Sequence, residues 1–108
     1  MWAVTGAYSF ICKYGSTDAL YLRLNQLVWQ WRIGDSYWYG DYLAATPYPG
    51  VRIRIVDFPA AVENGWRYDT DIRIRGECTT PKEEIHRAYR EVLAQIPAEE
   101  IKEIDWFD

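Results

Sequence analysis

Histidine occurs once in this chain, methionine once and cysteine twice, among 108 residues. A single imidazole, His86, rules out a multi-histidine metal site. No Ser-His-Asp set, GxSxG, HExxH or phosphate-cradling glycine loop is present. Cys12 and Cys78 form no CxxC pair, and two thiols alone do not hold a metal ion. They are expected as buried free thiols in a reducing compartment. No apolar run approaches the roughly 20 residues that cross a bilayer. The N-terminus has neither the basic start nor the small-residue cleavage site of a secretory leader. These absences point to a soluble, cytoplasmic protein with no cofactor, no metal and no membrane partner, and nothing specific argues for an enzyme.

Lysine is scarce as well. Nine of the twelve basic residues are arginine, which favours bidentate and stacking contacts over diffuse attraction to phosphates. The net charge is −4 and unevenly spread. Residues 1–75 hold eight basic and seven acidic residues, a balance of +1, whereas residues 76–108 hold four and nine, a balance of −5. A generic nucleic-acid binder carries a basic field, and this chain has none.

Aromatic residues are what the chain has in excess: six Trp, nine Tyr and three Phe. Trp29, Trp31, Tyr37, Trp38, Tyr39 and Tyr42 fall in the single stretch WQWRIGDSYWYGDY. Such rings carry a polar handle and are enriched where one end is buried and the other wet, as at protein interfaces.

Periodicity assigns the elements. Residues 2–14 alternate as a strand, with Val4, Tyr8, Phe10, Cys12 and Tyr14 on one side and Ala3, Thr5, Ala7 and Ser9 on the other. Ser16 caps a helix predicted over Thr17–Ile33, with Leu20, Leu24, Leu27, Val28 and Trp31 as its seam and Gly34 just past its end. A strand is predicted across Tyr37–Thr46, then a type II turn at Pro49-Gly50. Residues 51–58 alternate with Val51, Ile53 and Ile55 inward and Arg52 and Arg54 outward. After a loop at 59–66, residues 67–75 alternate again, with Tyr68, Thr70, Ile72 and Ile74 opposed to Arg67, Asp69, Asp71, Arg73 and Arg75. The second helix starts with Thr80 as cap, Pro81 as its first residue and Glu83 completing a capping box. Its seam is Ile85, Ala88, Tyr89, Val92, Leu93 and Ile96. The tail reads either as a helical turn at 98–102 or as a short edge strand at 103–107.

The implied fold is one α+β domain over residues 1–108. It is an antiparallel β-sheet of four to five strands with two α-helices packed on one face, in the order β-α-β-β-β-α with a possible short last strand. The other face is left to water or a partner. If strands 51–58 and 67–75 pair, Arg52, Arg54, Arg73 and Arg75 project from that face, and like charges directly opposite are destabilising. Asp57, Asp69 and Asp71, or an external anion, would offset them. Parity sets Trp38 with Tyr42 and Tyr37 with Tyr39 on opposite faces, so about half the cluster is surplus to the core. His86 reads as a solvated surface histidine.

The candidate binding residues are therefore Tyr37, Trp38, Tyr39, Tyr42, Arg52, Arg54, Trp66, Arg73 and Arg75. Aromatics interleaved with arginines suit recognition through stacking and cation–π contacts. The first expectation is a non-catalytic module that binds another protein. A small-molecule or anion site near Trp38 and Arg54, and a homodimer through the open face, are the alternatives. The acidic residues Glu83, Glu84, Glu91, Glu99, Glu100 and Glu103 offer complementarity to a basic partner.

The order strand–helix–three strands–helix resembles that of ribosome-hibernation factors and, from the first helix on, of double-stranded RNA-binding domains. An acidic second helix has the wrong sign for phosphates, so nucleic acid is not expected. Residues 24–96 also resemble, with gaps, the immunity protein 53 family of bacterial polymorphic-toxin systems. The counterparts are Trp29-Gln30-Trp31, Gly34-Asp35 with Trp38 and Gly40, and Pro49-Gly50 before VRIRI. Glu63-Asn64-Gly65-Trp66 and Glu83-Glu84-Ile85 continue the order. The family's aromatic after Pro-Gly and its cysteine are lacking. The resemblance implies an immunity or antitoxin-like role.

Overall fold

The computed structural model describes residues 1–36, 40–62 and 65–104, with 58–62 as backbone only. In chain order these form β1 (Ala3–Cys12), α1 (Thr17–Leu27), β2 (Trp31–Ser36), β3 (Gly40–Ala45) and β4 (Val51–Val62). β5 (Gly65–Ile74), α2 (Lys82–Gln95) and β6 (Glu99–Glu103) complete them. The strands make one sheet in the order β2-β3-β4-β5-β1-β6, and every neighbouring pair is antiparallel. The fold is α+β as the periodicities indicate, with six strands where four to five were expected.

Both helices cover one face. Leu20 and Leu24 of α1 join Ile85, Tyr89, Val92 and Leu93 of α2 in one buried cluster with Tyr8, Phe10, Ile53, Ile55, Tyr68 and Ile72. β4 and β5 keep the alternation read from sequence: Val51, Ile53, Ile55, Tyr68, Thr70 and Ile72 are all buried. Thr70, a polar residue in this core, is satisfied by the Tyr89 hydroxyl. At the Pro49-Gly50 turn, the Val51 N–H donates to the Tyr48 carbonyl at 3.0 Å and Gly50 takes φ 76°. That is the positive dihedral for which glycine was placed there.

Four element boundaries differ from the sequence expectation. α1 stops at Leu27 rather than Ile33, and the segment from Trp31 is a strand. Asn25 Oδ1 accepts the Trp31 N–H at 2.8 Å, and the chain beyond gains a ladder with β3. Gly34 is therefore no helix cap. It lies opposite Tyr42, whose ring crosses it so closely that a Cβ would sit 2.4 Å from the Tyr42 Cζ. The predicted loop at 59–66 is shorter, because β4 runs to Val62 and β5 starts at Gly65, with the register shifting between Asp57 and Ala61. The N-cap of α2 is Pro81, not Thr80, with no side-chain cap bond; the Pro81 carbonyl takes the Glu84 and Ile85 N–H groups instead. The tail forms β6 at Glu99–Glu103, which satisfies the otherwise open edge of β1.

A fifth difference matters most for the site. The β1–β5 register shifts between Val4 and Gly6. The extra residue flips the alternation, so Val4 lies opposite Arg73 on the open face while Tyr8 and Phe10 point into the core. Grouping Val4 with Tyr8 was wrong for that reason. Trp2 follows Val4 to the arginine side.

Candidate binding face of the sheet

On the face away from the helices, the register sets Arg52 directly opposite Arg73 and Arg54 opposite Asp71. The Asp71 carboxylate, 1% exposed, takes Arg54 Nε at 3.0 Å on Oδ1 and Arg54 Nη2 at 2.6 Å on Oδ2. Arg73 Nε also donates to Oδ2 at 2.6 Å. One buried anion thus ties two guanidiniums together across the strands. The internal offset expected for the arginine face is Asp71; Asp57 is exposed, and Asp69 lies in the next row, opposite Val56 and Ser9.

Arg52 is held differently. Its guanidinium lies 4.7 Å from the centre of the Trp2 ring, and that of Arg75 lies 5.2 Å from the same ring. Arg75 also pairs with Glu77 at 3.3 Å. Arg52 makes no ion pair among the described residues, and its buried Nε has no hydrogen-bond partner. Burial, with Arg54 and Arg73 close by, pushes its pKa down from the ordinary arginine value. Cation–π contact stabilises a charge without neutralising it. An incoming anion would do both.

The nine candidate residues divide accordingly. Arg52, Arg54, Arg73 and Arg75 do come together. Tyr42 shares their face but spends its ring on Gly34. Trp66, 38% exposed, sits seven residues from Arg73 along β5, roughly 23 Å by strand rise, and packs against Gly15. It does not belong to the site. Tyr37, Trp38 and Tyr39 lie outside the described residues. Trp2 is the residue sequence reasoning missed. Gly6 inside an otherwise regular strand was the available signal, since such a glycine marks a bulge.

A second polar cluster corrects the expectation for His86. The imidazole is not a solvated surface group: Nδ1 lies 2.5 Å from the Tyr8 hydroxyl, and Arg90 Nη1 donates to the same oxygen at 3.4 Å. The ring lies so close over β1 that a Cβ on Gly6 would stand 2.2 Å from its Cε1. Burial pushes the His86 pKa below its ordinary 6.5. The unfolded chain therefore binds the proton more readily. Stability from this site is full above pH 6.5 and is lost as pH falls through the folded value. Because the chain has one histidine, its Cε1–H resonance reports the titration alone. A midpoint below 6.5 is expected, and a His86→Gln variant should lose less stability than the parent between about pH 7.5 and 5.5.

Among the described residues no group of three or more His, Cys, Asp or Glu side chains could hold a metal ion, and no helix is long and apolar enough to cross a membrane. Cys12 is free and buried, Cys78 free and half-buried. The molecule is thus an antiparallel sheet with helices on one face and an arginine–tryptophan surface on the other. Compared with known proteins, the chain matches no family model, and no curated protein or solved structure at a significant level.

Proposed function

We propose that this chain is a non-catalytic protein-binding module that grips an acidic segment of its partner with the Trp2, Arg52 and Arg75 end of its open sheet face. The supporting observation is Arg52: a half-buried cation opposite Arg73, over an indole, with its buried Nε unbonded and no ion pair among the described residues. Among the described residues, four guanidiniums gather around two carboxylates, Asp71 and Glu77. The acidic residues of α2 are ordinary solvated charges by comparison. The resemblance to immunity protein 53 adds a role to this reading, inhibition by binding, and the face supplies a contact for it.

Two other readings have less support. An anion pocket built on Trp38 and Arg54 rests on a residue outside the described ones and on a guanidinium already committed to Asp71. A symmetric dimer through the face would bring like charges together, which costs affinity.

A fluorescently labelled peptide rich in glutamate, and its glutamine counterpart, separate the outcomes. Anisotropy should show saturable binding of the glutamate peptide, with affinity falling steeply as salt rises. Arg52→Ala should weaken it at least about tenfold, a loss of roughly 1.4 kcal/mol or more. Equal binding of the glutamine peptide would refute an anion-reading face.

A further inference from the structure

At the β2 edge of the sheet, the chain leaves α1 through a backbone that bulky residues avoid. Val28 is extended and Trp29 is left-handed, with φ 62°. A side chain with a Cβ is strained there. Such strain persists only where the surroundings impose it, and it clusters at binding sites. Here Asn25 fixes the far side by accepting the Trp31 N–H at 2.8 Å, while the Trp31 indole donates to the Val28 carbonyl at 3.1 Å.

The strained residue is half-buried, its ring packed against the core and also bordering an edge depression. Trp29 lies 6.0 Å from the Trp31 ring and 6.4 Å, edge-on, from Tyr48. These indoles line a depression of about 380 Å³ together with Gln30, Arg32, Thr46 and Pro47. That volume suits one small ligand. Gln30, Arg32 and Thr46 are all exposed, and Arg32 makes no ion pair among the described residues. The matching chemistry is a ring with an apolar flat face, hydroxyls at its edge and one carboxylate. A buried peptide anchor, in contrast, favours a pocket without so many hydrogen-bonding groups around it.

We propose that this depression binds a hexuronic acid, its sugar ring stacked on Trp29 and its carboxylate paired with Arg32. Arg32 lies on the same sheet face as Arg54, two strands away at the β2 edge, but the proposal does not depend on the Trp2–Arg52 contact. The probe is digalacturonic acid, followed through the tryptophan indole N–H resonances of the intact chain, with maltose and acetate as neutral-sugar and bare-anion controls. Saturable shifts of the Trp29 indole with digalacturonate are expected, and much smaller ones with either control. Arg32→Gln should weaken binding about tenfold. Trp29→Asn suits the left-handed backbone but removes a ring packed against the core; with native amide dispersion retained, it should abolish the shifts of the remaining indole and amide resonances. No saturation, equal shifts with acetate, or unchanged binding by Trp29→Asn would overturn the proposal. So would preference for an acidic proline-containing peptide over the sugar.

Discussion

Asp71→Ala is expected to cost about 3–5 kcal/mol, the range for breaking a buried pair by removing one partner. The carboxylate is 1% exposed and its guanidinium partners, Arg54 and Arg73, are only 17% and 11% exposed. Removing it leaves two half-desolvated cations beside Arg52, which is itself opposite Arg73. The loss is a large part of the roughly 5–15 kcal/mol that holds an ordinary domain together. Urea denaturation should show it as a lower midpoint at unchanged slope. Adding Arg54→Met and Arg73→Met to the same chain should recover part of the loss, because part of the penalty comes from cations deprived of their shared carboxylate. A cost below 1 kcal/mol (roughly that of an exposed ion pair) would mean that Asp71 is solvated.

Gly50→Ala comes next, at about 2–5 kcal/mol. A left-handed alanine costs roughly 1–2 kcal/mol, and overpacking adds roughly 1–3. The new Cβ would stand 2.7 Å from the Cys78 backbone nitrogen and 2.9 Å from its Cα, where no flexible side chain can yield. Thermal unfolding should shift down by on the order of 10–20 °C. The substitution also reaches the candidate face. The Arg75 N–H donates to the Gly50 carbonyl at 2.8 Å, so a displaced turn moves one of the two cations on Trp2. Weakened binding of the acidic peptide should accompany the stability loss.

Elements whose burial is one-sided were legible in the sequence. β4 and β5 alternate strictly because one face packs on helices and the other carries paired charges, and the α2 seam follows a helical period for the same reason. The α1–β2 boundary was not legible. Leu24, Leu27, Val28 and Trp31 fit a helical stripe, yet Trp31 and Ile33 fit a strand equally well. The Asn25 side chain and the β3 ladder decide between them, and both are tertiary. The arginine face was visible as four residues of one parity. Its neutralising carboxylate was one of three candidates until register singled out Asp71. Trp2 was hidden by the bulge before Gly6, which reverses the parity count over one residue. His86 sat beside the helix seam, and nothing local showed that a glycine across the interface makes room for its ring.

The aromatic excess is shared out over several places. Trp31 is buried in β2, Tyr8 and Tyr89 pack together beneath α2, and Trp29 lines the edge depression. Trp2 is the ring that meets the arginines.

Mapping amide shifts in ¹⁵N-labelled protein against the glutamate peptide tests the open-face account most directly. Perturbations centred on residues 2, 52, 73 and 75 are expected, abolished by Arg52→Ala with Trp2→Ala, while α2 stays unmoved. Perturbations centred on α2 and β6, or a map that survives the double substitution, would contradict it.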